Sequence, residues 1–166
     1  MSHDARGVLV LGARNLGGAM AREFQAAGWR AAAVSRTEES LEGARAAGAL
    51  GITADAADLG SLRAALEEAR RGLGRLDAVV NAVSASRPPA GGGAFGGGPL
   101  ADATPDGFEG WTAAVARQAF VFLSAGMAAL GDGGGALVQV TGGSARRANP
   151  GRGLWAAGSA AVRALT

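Results

Sequence analysis

The chain is most informative in what it lacks. Its 166 residues include no cysteine, no tyrosine and no lysine, and the single histidine is His3. Without cysteine there is no disulfide, thiolate metal site or cysteine nucleophile. Without lysine, and with one histidine near the N-terminus, we expect no Schiff-base chemistry, imidazole catalysis or multi-histidine metal site. Hydroxyl, carboxyl, amide and guanidinium groups remain for chemistry, and no metal is expected.

The charge balance argues against a nucleic-acid partner. Sixteen arginines against 14 acidic residues give a net charge of +2, although the sequence pI is near 10.8. The pI is high because arginine titrates far above neutrality, and the arginines are scattered along the chain. No apolar run approaches the roughly 20 residues of a membrane span, and residues 1–7 do not resemble a signal peptide. We expect a soluble, cytoplasmic protein without nucleic-acid or membrane partners.

Short apolar runs alternate with helical stretches along the chain, which predicts one domain over residues 1–166. Strands are predicted over residues 7–11, 30–35, 49–53, 76–82 and 136–141, and helices over 16–27, 38–47, 59–71, 104–130 and 154–166. Residues 86–102 are predicted to form a flexible loop, because their glycines and prolines disfavour regular structure. The alternation predicts an α/β fold, a doubly wound parallel sheet with helices on both faces. Such a sheet binds ligands at the carboxyl ends of its strands.

The turn after the first strand is rich in glycine. Glycines at this place let the backbone turn tightly and approach a pyrophosphate at the helix N-terminus, as in the NAD(P)-binding Rossmann fold. The turn predicts cofactor contacts from Gly12, Arg14, Asn15, Leu16 and Gly17. Leu16 stands where the usual spacing has a glycine. Other nucleotide-binding and methyl-donor folds share such turns, and a plain strand-to-helix connection is a further alternative.

The end of the second strand indicates which cofactor is bound. It reads Ser35-Arg36-Thr37, with no acid before Glu38. NAD-binding domains usually hold the ribose hydroxyls with an acid here, whereas arginine accommodates the 2′-phosphate of NADP. Ser35 and Arg36 are therefore predicted contacts, Arg14 can approach the same phosphate, and NADP(H) is favoured over NAD(H). The alternative is two solvated arginines. The missing acid also disfavours a methyl-donor site.

Five segments together resemble the short-chain dehydrogenase/reductase family: residues 12–24, 55–58, 76–82, 108–130 and 137–141. The resemblance implies an oxidoreductase that transfers hydride between NADP(H) and an alcohol or carbonyl substrate of unknown identity. It places Asp55 and Ala56 at the adenine, and Asn81 and Ala82 beside the cofactor. It also implies a homodimer or homotetramer formed through the helices over residues 105–130 and 154–166.

The resemblance fails at the family's catalytic residues. Trp155 occupies the position of the tyrosine that acts as general acid and base, and Ser159 that of the lysine four residues later. An indole has no exchangeable proton near neutral pH, and a serine supplies no cation. Thr141 and Ser144 both lie near the expected catalytic serine. A weakly active oxidoreductase using Thr141, Ser144 or water, a catalytically inactive NADP(H) sensor, and a pure interaction module all remain open.

The rest of the predicted substrate region is also unusual. The asparagine that the family carries in its long helix falls near Arg117 and Gln118. Arg146, Arg147 and Asn149 either bind an anionic or carbonyl substrate or form an ordinary exposed loop, and Trp155 is either core or a pocket wall. Residues 91–98 are expected to cover the substrate when ligand binds. Relative to the family the C-terminal elements are expected to be missing, which would leave a sheet edge open to association.

Overall fold

The structure, a computed structural model, describes residues 5–86, 89–90, 96 and 98–166. His3, and residues 87–88, 91–95 and 97 of the loop predicted over residues 86–102, lie outside the described residues. By its contacts the chain divides into two compact units. The first comprises Met1–Val83 and Val121–Val140, and the second comprises Ser84–Phe120 and Thr141–Thr166.

The first unit contains a five-stranded parallel sheet, as the sequence predicts. Its strand order is β3-β2-β1-β4-β5. The strands are β1 (Gly7–Leu11), β2 (Arg30–Ser35), β3 (Leu50–Thr53), β4 (Ala78–Asn81) and β5 (Ala136–Gln139). The chain runs from β1 outward to β3 and then returns to the other side of β1 for β4. This reversal makes the β1/β4 boundary the switch point at which such sheets bind ligands.

Six α-helices connect and follow the strands in the described part of the chain. They are α1 (Asn15–Ala26), α2 (Glu42–Ala46), α3 (Leu59–Leu73), α4 (Pro105–Thr112), α5 (Gln118–Leu130) and α6 (Gly153–Leu165). The Asp58 carboxylate caps α3 by accepting a hydrogen bond from the Ser61 N–H at 2.7 Å, as its residue type predicts. α1 ends before Gly28, whose φ of 82° suits the left-handed position that follows many helices.

Alternating strand residues bury both faces of the sheet. On one face Leu9, Leu11 and Val79 pack with side chains of α3 and with Val121, Phe122 and Ala125 of α5. On the other face Val8, Val10, Ala33 and Val80 pack with side chains of α1 and α2. β1 is buried along its whole length, which is why it reads as an unbroken apolar run.

The second unit is a small helical cluster around two tryptophans. Trp111 of α4 and Trp155 of α6 meet edge to face, with ring centroids 5.9 Å apart. The Thr104 hydroxyl caps α4 by accepting from the Gly107 N–H, and Pro105 follows it in the first turn. A π-helical segment, Ala113–Arg117, separates α4 from α5. The prediction of a regular helix over residues 104–130 is wrong at this segment.

One described helix is long and apolar enough, by length and composition, to cross a membrane. It is Pro105–Gly133, with 29 residues and a mean hydropathy of 1.5 over its most apolar window. Half of that window is buried inside the structure. This finding corrects the expectation that no stretch of the chain is long and apolar enough for a membrane span, although a buried core helix passes the same test.

Candidate functional site

The turn between β1 and α1 has the geometry that a closely approaching ligand requires. Gly12 has a φ of 93°, in the left-handed region that favours glycine. Its N–H donates to the Val34 carbonyl at 2.9 Å, which ties the turn to β2. A Cβ on Gly17 would lie 1.6 Å from the Gly12 carbonyl oxygen. Only a glycine therefore lets α1 begin so close to the turn.

The start of α1 presents backbone N–H groups without a competing acid. The Arg14 carbonyl accepts from the N–H groups of Gly17 and Gly18 at 3.1 and 3.4 Å. Arg14, Asn15 and Leu16 are exposed, and no acidic residue lies in the first turn. The first N–H groups of a helix point out of its N-terminus and carry partial positive charge. This end of α1 suits an anionic group.

Two exposed arginines, Arg14 and Arg36, flank this end of the sheet. Arg36 follows β2 and is exposed, while Ser35 is half-buried and accepts the Ala54 N–H through its carbonyl at 2.9 Å. Within the described residues, neither Arg14 nor Arg36 takes part in an ion pair. Both guanidinium groups are therefore available to an anionic ligand.

Glu38, the first acid after Arg36 in the sequence, is bound elsewhere. One of its carboxylate oxygens pairs with Arg45, and the other accepts a hydrogen bond from the Thr53 hydroxyl. The Arg45 side chain, and after it the Thr53 hydroxyl, lower the pKa of the Glu38 carboxyl. Sequence reasoning missed this arrangement. Its only sequence signal is the spacing of Glu38 and Arg45, seven residues apart.

The acidic segment after β3 is a tight turn. The Asp55 carboxylate accepts the Ala57 N–H at 3.0 Å, and the Asp55 N–H donates to the Ser61 hydroxyl at 3.0 Å. Ala56 is buried and Asp55 is half-buried. Asp55 therefore organises its own loop at the carboxyl edge of the sheet, and its role at the adenine remains a prediction.

Asn81 closes β4 beside the first turn. It is fully buried, donates to the Gln139 side chain at 2.8 Å and accepts the Val83 N–H at 3.0 Å. The Ala82 N–H donates to the Leu11 carbonyl at 3.0 Å, which ties this segment to β1. The predicted residues Gly12, Asn81 and Ala82 thus lie together at the switch point. Gln139 is a positioning residue that sequence reasoning missed.

Comparison with known proteins decides the family. The family model described as enoyl-(acyl carrier protein) reductase, a model of the short-chain dehydrogenases/reductases, matches residues 10–166. The chain belongs to the short-chain dehydrogenase/reductase family. Members of this family are NAD(P)-dependent oxidoreductases, and the doubly wound fold agrees with that assignment. A comparison with curated proteins finds no match.

Solved structures of the family superpose on nearly the whole chain. A short-chain dehydrogenase from Mycobacterium smegmatis is 21% identical with a TM-score of 0.84, over 98% of this chain and 68% of that one. A blue fluorescent protein from a metagenomic library, in complex with NADPH, is 29% identical with a TM-score of 0.74, over 100% of this chain and 68% of that one.

A third structure is a variant of actinorhodin polyketide ketoreductase with NADPH. It is 23% identical with a TM-score of 0.82, over 99% of this chain and 64% of that one. The 166-residue chain therefore spans about two thirds of the length of each of these three structures.

The predicted catalytic positions of this family member lie in its second unit. Thr141 is exposed, and Ser144 is half-buried in a single 3₁₀ turn, Gly143–Ala145. Trp155 is 8% exposed and belongs to the tryptophan cluster, so it is core. Ser159 is 5% exposed. The positions of the family's tyrosine and lysine are thus occupied by buried side chains without acid-base chemistry near neutral pH.

Other polar residues of the second unit are divided between surface and interior. Arg146, Arg147 and Asn149 are exposed, which agrees both with binding of an anionic or carbonyl substrate and with an ordinary exposed loop. Gln118 is 2% exposed at the first position after the π-helical segment. The long helix therefore places a buried amide where the family's asparagine was expected.

Proposed function

We propose that this chain binds NADP(H) in preference to NAD(H) and acts in hydride transfer between that cofactor and an alcohol or carbonyl substrate. The observation that carries the proposal is that the turn after β1 has room only for glycine at position 17 and lies at the same end of the sheet as the exposed arginine after β2. A Cβ on Gly17 would fill the turn, while Arg36 is exposed and makes no ion pair within the described residues.

The described residues fit a dinucleotide at this end of the sheet. Asn15 and Leu16 would contact the pyrophosphate through the outward N–H groups at the start of α1. Gly12 and Gly17, whose own N–H groups donate to Val34 and Arg14, would let it approach because they carry no side chain. Arg36 and Arg14 would bind the 2′-phosphate by charge-assisted hydrogen bonds, with Ser35 beside them. Asp55, Ala56, Asn81 and Ala82 would line the adenine and nicotinamide ends. When bound, the cofactor supplies the hydride.

A second candidate function is favoured by Trp155. Its burial against Trp111 leaves no side chain at that position that can exchange a proton. If neither Thr141, Ser144 nor water replaces the family's tyrosine, the protein is an NADP(H)-binding sensor without turnover. The two functions share the cofactor site and differ only in whether bound NADPH is consumed.

The test combines binding with turnover. Arg36→Asp should weaken NADPH binding far more than NADH binding, because the change removes the phosphate partner and adds a repelling charge. Equal losses for both cofactors would contradict the NADP preference. The wild-type protein is then incubated with NADPH and a panel of activated ketones and quinones. Consumption that falls in a Thr141→Val, Ser144→Ala variant supports the oxidoreductase, and no consumption with any acceptor supports the sensor.

Self-association through the helices over residues 105–130 and 154–166 is part of the proposal. Phe108, Phe120 and Leu165 each expose about half of their surface on these helices, and buried apolar area favours association. Sedimentation of the purified chain should give the mass of a dimer or tetramer. A monomer at micromolar concentration would contradict this part of the proposal.

A further inference from the structure

We propose that Arg45 is a positioning residue for cofactor specificity, which holds the Glu38 carboxylate away from Arg36 and so keeps Arg36 open to the 2′-phosphate. The inference rests on the proposed NADP(H) function. It concerns a residue that does not itself touch the cofactor.

The competition that Arg45 prevents follows from the loop after β2. Arg36 and Glu38 are both exposed and stand two residues apart on that loop. An exposed carboxylate so close in the chain can pair with a guanidinium, and it would then repel a phosphate at the same place. In the structure both Glu38 oxygens are engaged by other partners, Arg45 and Thr53. Arg36 itself makes no ion pair within the described residues.

Arg45 is itself fixed by the backbone of β3. Its guanidinium donates to the Gly51 carbonyl at 3.2 Å. A Cβ on Gly51 would lie 2.6 Å from Arg45 Nε and 3.0 Å from its Cγ. The missing side chain at position 51 thus lets Arg45 lie against the strand and reach Glu38. This close approach gives a physical reason for a glycine inside a strand, where glycine is otherwise unfavourable.

The loop that carries Arg36 and Glu38 is also closed by local bonds. The Thr37 hydroxyl donates to the Ser40 hydroxyl at 2.9 Å, and the Leu41 N–H donates to the Glu38 carbonyl at 2.9 Å. These bonds fix the backbone at Glu38, so that its carboxylate has a defined direction. If the carboxylate were released from Arg45, the Glu38 side chain would change direction while the fold stayed intact.

The experiment measures NADPH and NADH affinity by calorimetry in the wild type and in Arg45→Met, which keeps the aliphatic stem and removes the charge. We expect NADPH binding to weaken roughly two- to fivefold, the scale of one exposed ion pair. NADH binding should stay the same or strengthen, because it has no 2′-phosphate. The NADPH effect should shrink at high salt, where exposed charges are screened.

Two further variants and a control make the result specific. Gly51→Ala should displace Arg45 and produce the same selective loss. Gly43→Ala on α2, where an added Cβ meets nothing within 4 Å, should change neither affinity. In a Glu38→Gln background, Arg45→Met should no longer weaken NADPH binding, because no carboxylate remains to be released.

The possible failures are distinguishable. If the wild type prefers NADPH but Arg45→Met leaves that preference unchanged, the role of Arg45 is refuted and the proposed function stands. If Arg45→Met weakens NADPH equally in the Glu38→Gln background, Arg45 binds the phosphate directly and the inference is wrong. If the wild type does not prefer NADPH, both the inference and the proposed cofactor preference fail.

Discussion

Replacing Gly17 with alanine tests the close contact on which the cofactor site depends. In the structure the new Cβ would lie 1.6 Å from the Gly12 carbonyl oxygen and 2.8 Å from its carbon. To reach even 3.0 Å from the oxygen, α1 and the turn must separate by about 1.4 Å, the difference between the two distances. Both sides of the contact are backbone, so no side-chain rotation relieves it.

The magnitude follows from the cost of overpacking. An added methyl group in a well-packed place costs about 1–3 kcal/mol and occasionally more. The displacement needed here is large and falls on backbone, so we expect the upper end, about 3 kcal/mol. With a urea m-value of about 2 kcal/mol/M, the unfolding midpoint would fall by about 1.5 M. A domain of ordinary stability, with about 5–15 kcal/mol, would still fold at low denaturant.

The assay is urea unfolding followed by circular dichroism, with NADPH binding measured separately in the absence of urea. Gly43→Ala is the control, because its Cβ has open space and alanine is a better helix former by up to about 1 kcal/mol. Gly17→Ala should be destabilised and should lose NADPH binding, whereas the control should keep both properties. A Gly17→Ala protein within about 0.5 kcal/mol of wild type would refute the packing argument.

Three further predictions follow from the same structure. Asn81→Ala should lower the unfolding free energy by about 1–3 kcal/mol, since the part-buried groups of Gln139 and Val83 lose their hydrogen bonds; a urea midpoint equal to wild type would contradict this. For Asp77, burial raises the carboxyl pKa, but hydrogen bonds from Arg75 and the Gly7 N–H outweigh it and lower the pKa. Its stabilisation is therefore present above the unfolded pKa of about 3.9 and lost as pH falls through the lower folded pKa. Asp77→Asn should thus destabilise at pH 7 and lose that effect in strong acid; an effect independent of pH would be inconsistent with it. Trp155→Tyr should lower the unfolding free energy by about 1 kcal/mol through the lost contact with Trp111. It should not increase NADPH consumption, because the position is core. A clear gain in turnover would mean that position 155 faces the reacting atoms.

The sheet could be predicted from the sequence because its signal is local. Each strand is a short apolar run that ends at a polar residue or glycine, and β1 and β2 begin and end where the sequence predicts. β4 and β5 are shorter than predicted, Ala78–Asn81 and Ala136–Gln139. Apolar residues continue past the last ladder pair, so hydrophobicity alone does not mark the end of a strand.

The rest of the site depends on partners far apart in the sequence. Asn81 bonds to Gln139 across 58 residues, and Glu38 bonds to Thr53 across 15, so neither pairing could be read from a motif. The π-helical segment before Gln118 could not be predicted either, because its residues have ordinary helical propensity. For Trp155 the sequence left core and pocket wall open, and the packing against Trp111 decides for core.

The proposed function is NADP(H) binding through the turn after β1 and the arginine after β2. Its most direct test is a calorimetric titration of the purified chain with NADPH and, separately, with NADH. We expect saturable NADPH binding that is clearly tighter than NADH binding and that weakens as salt is raised. Equal affinity for the two cofactors, or no heat of binding with either, would contradict it.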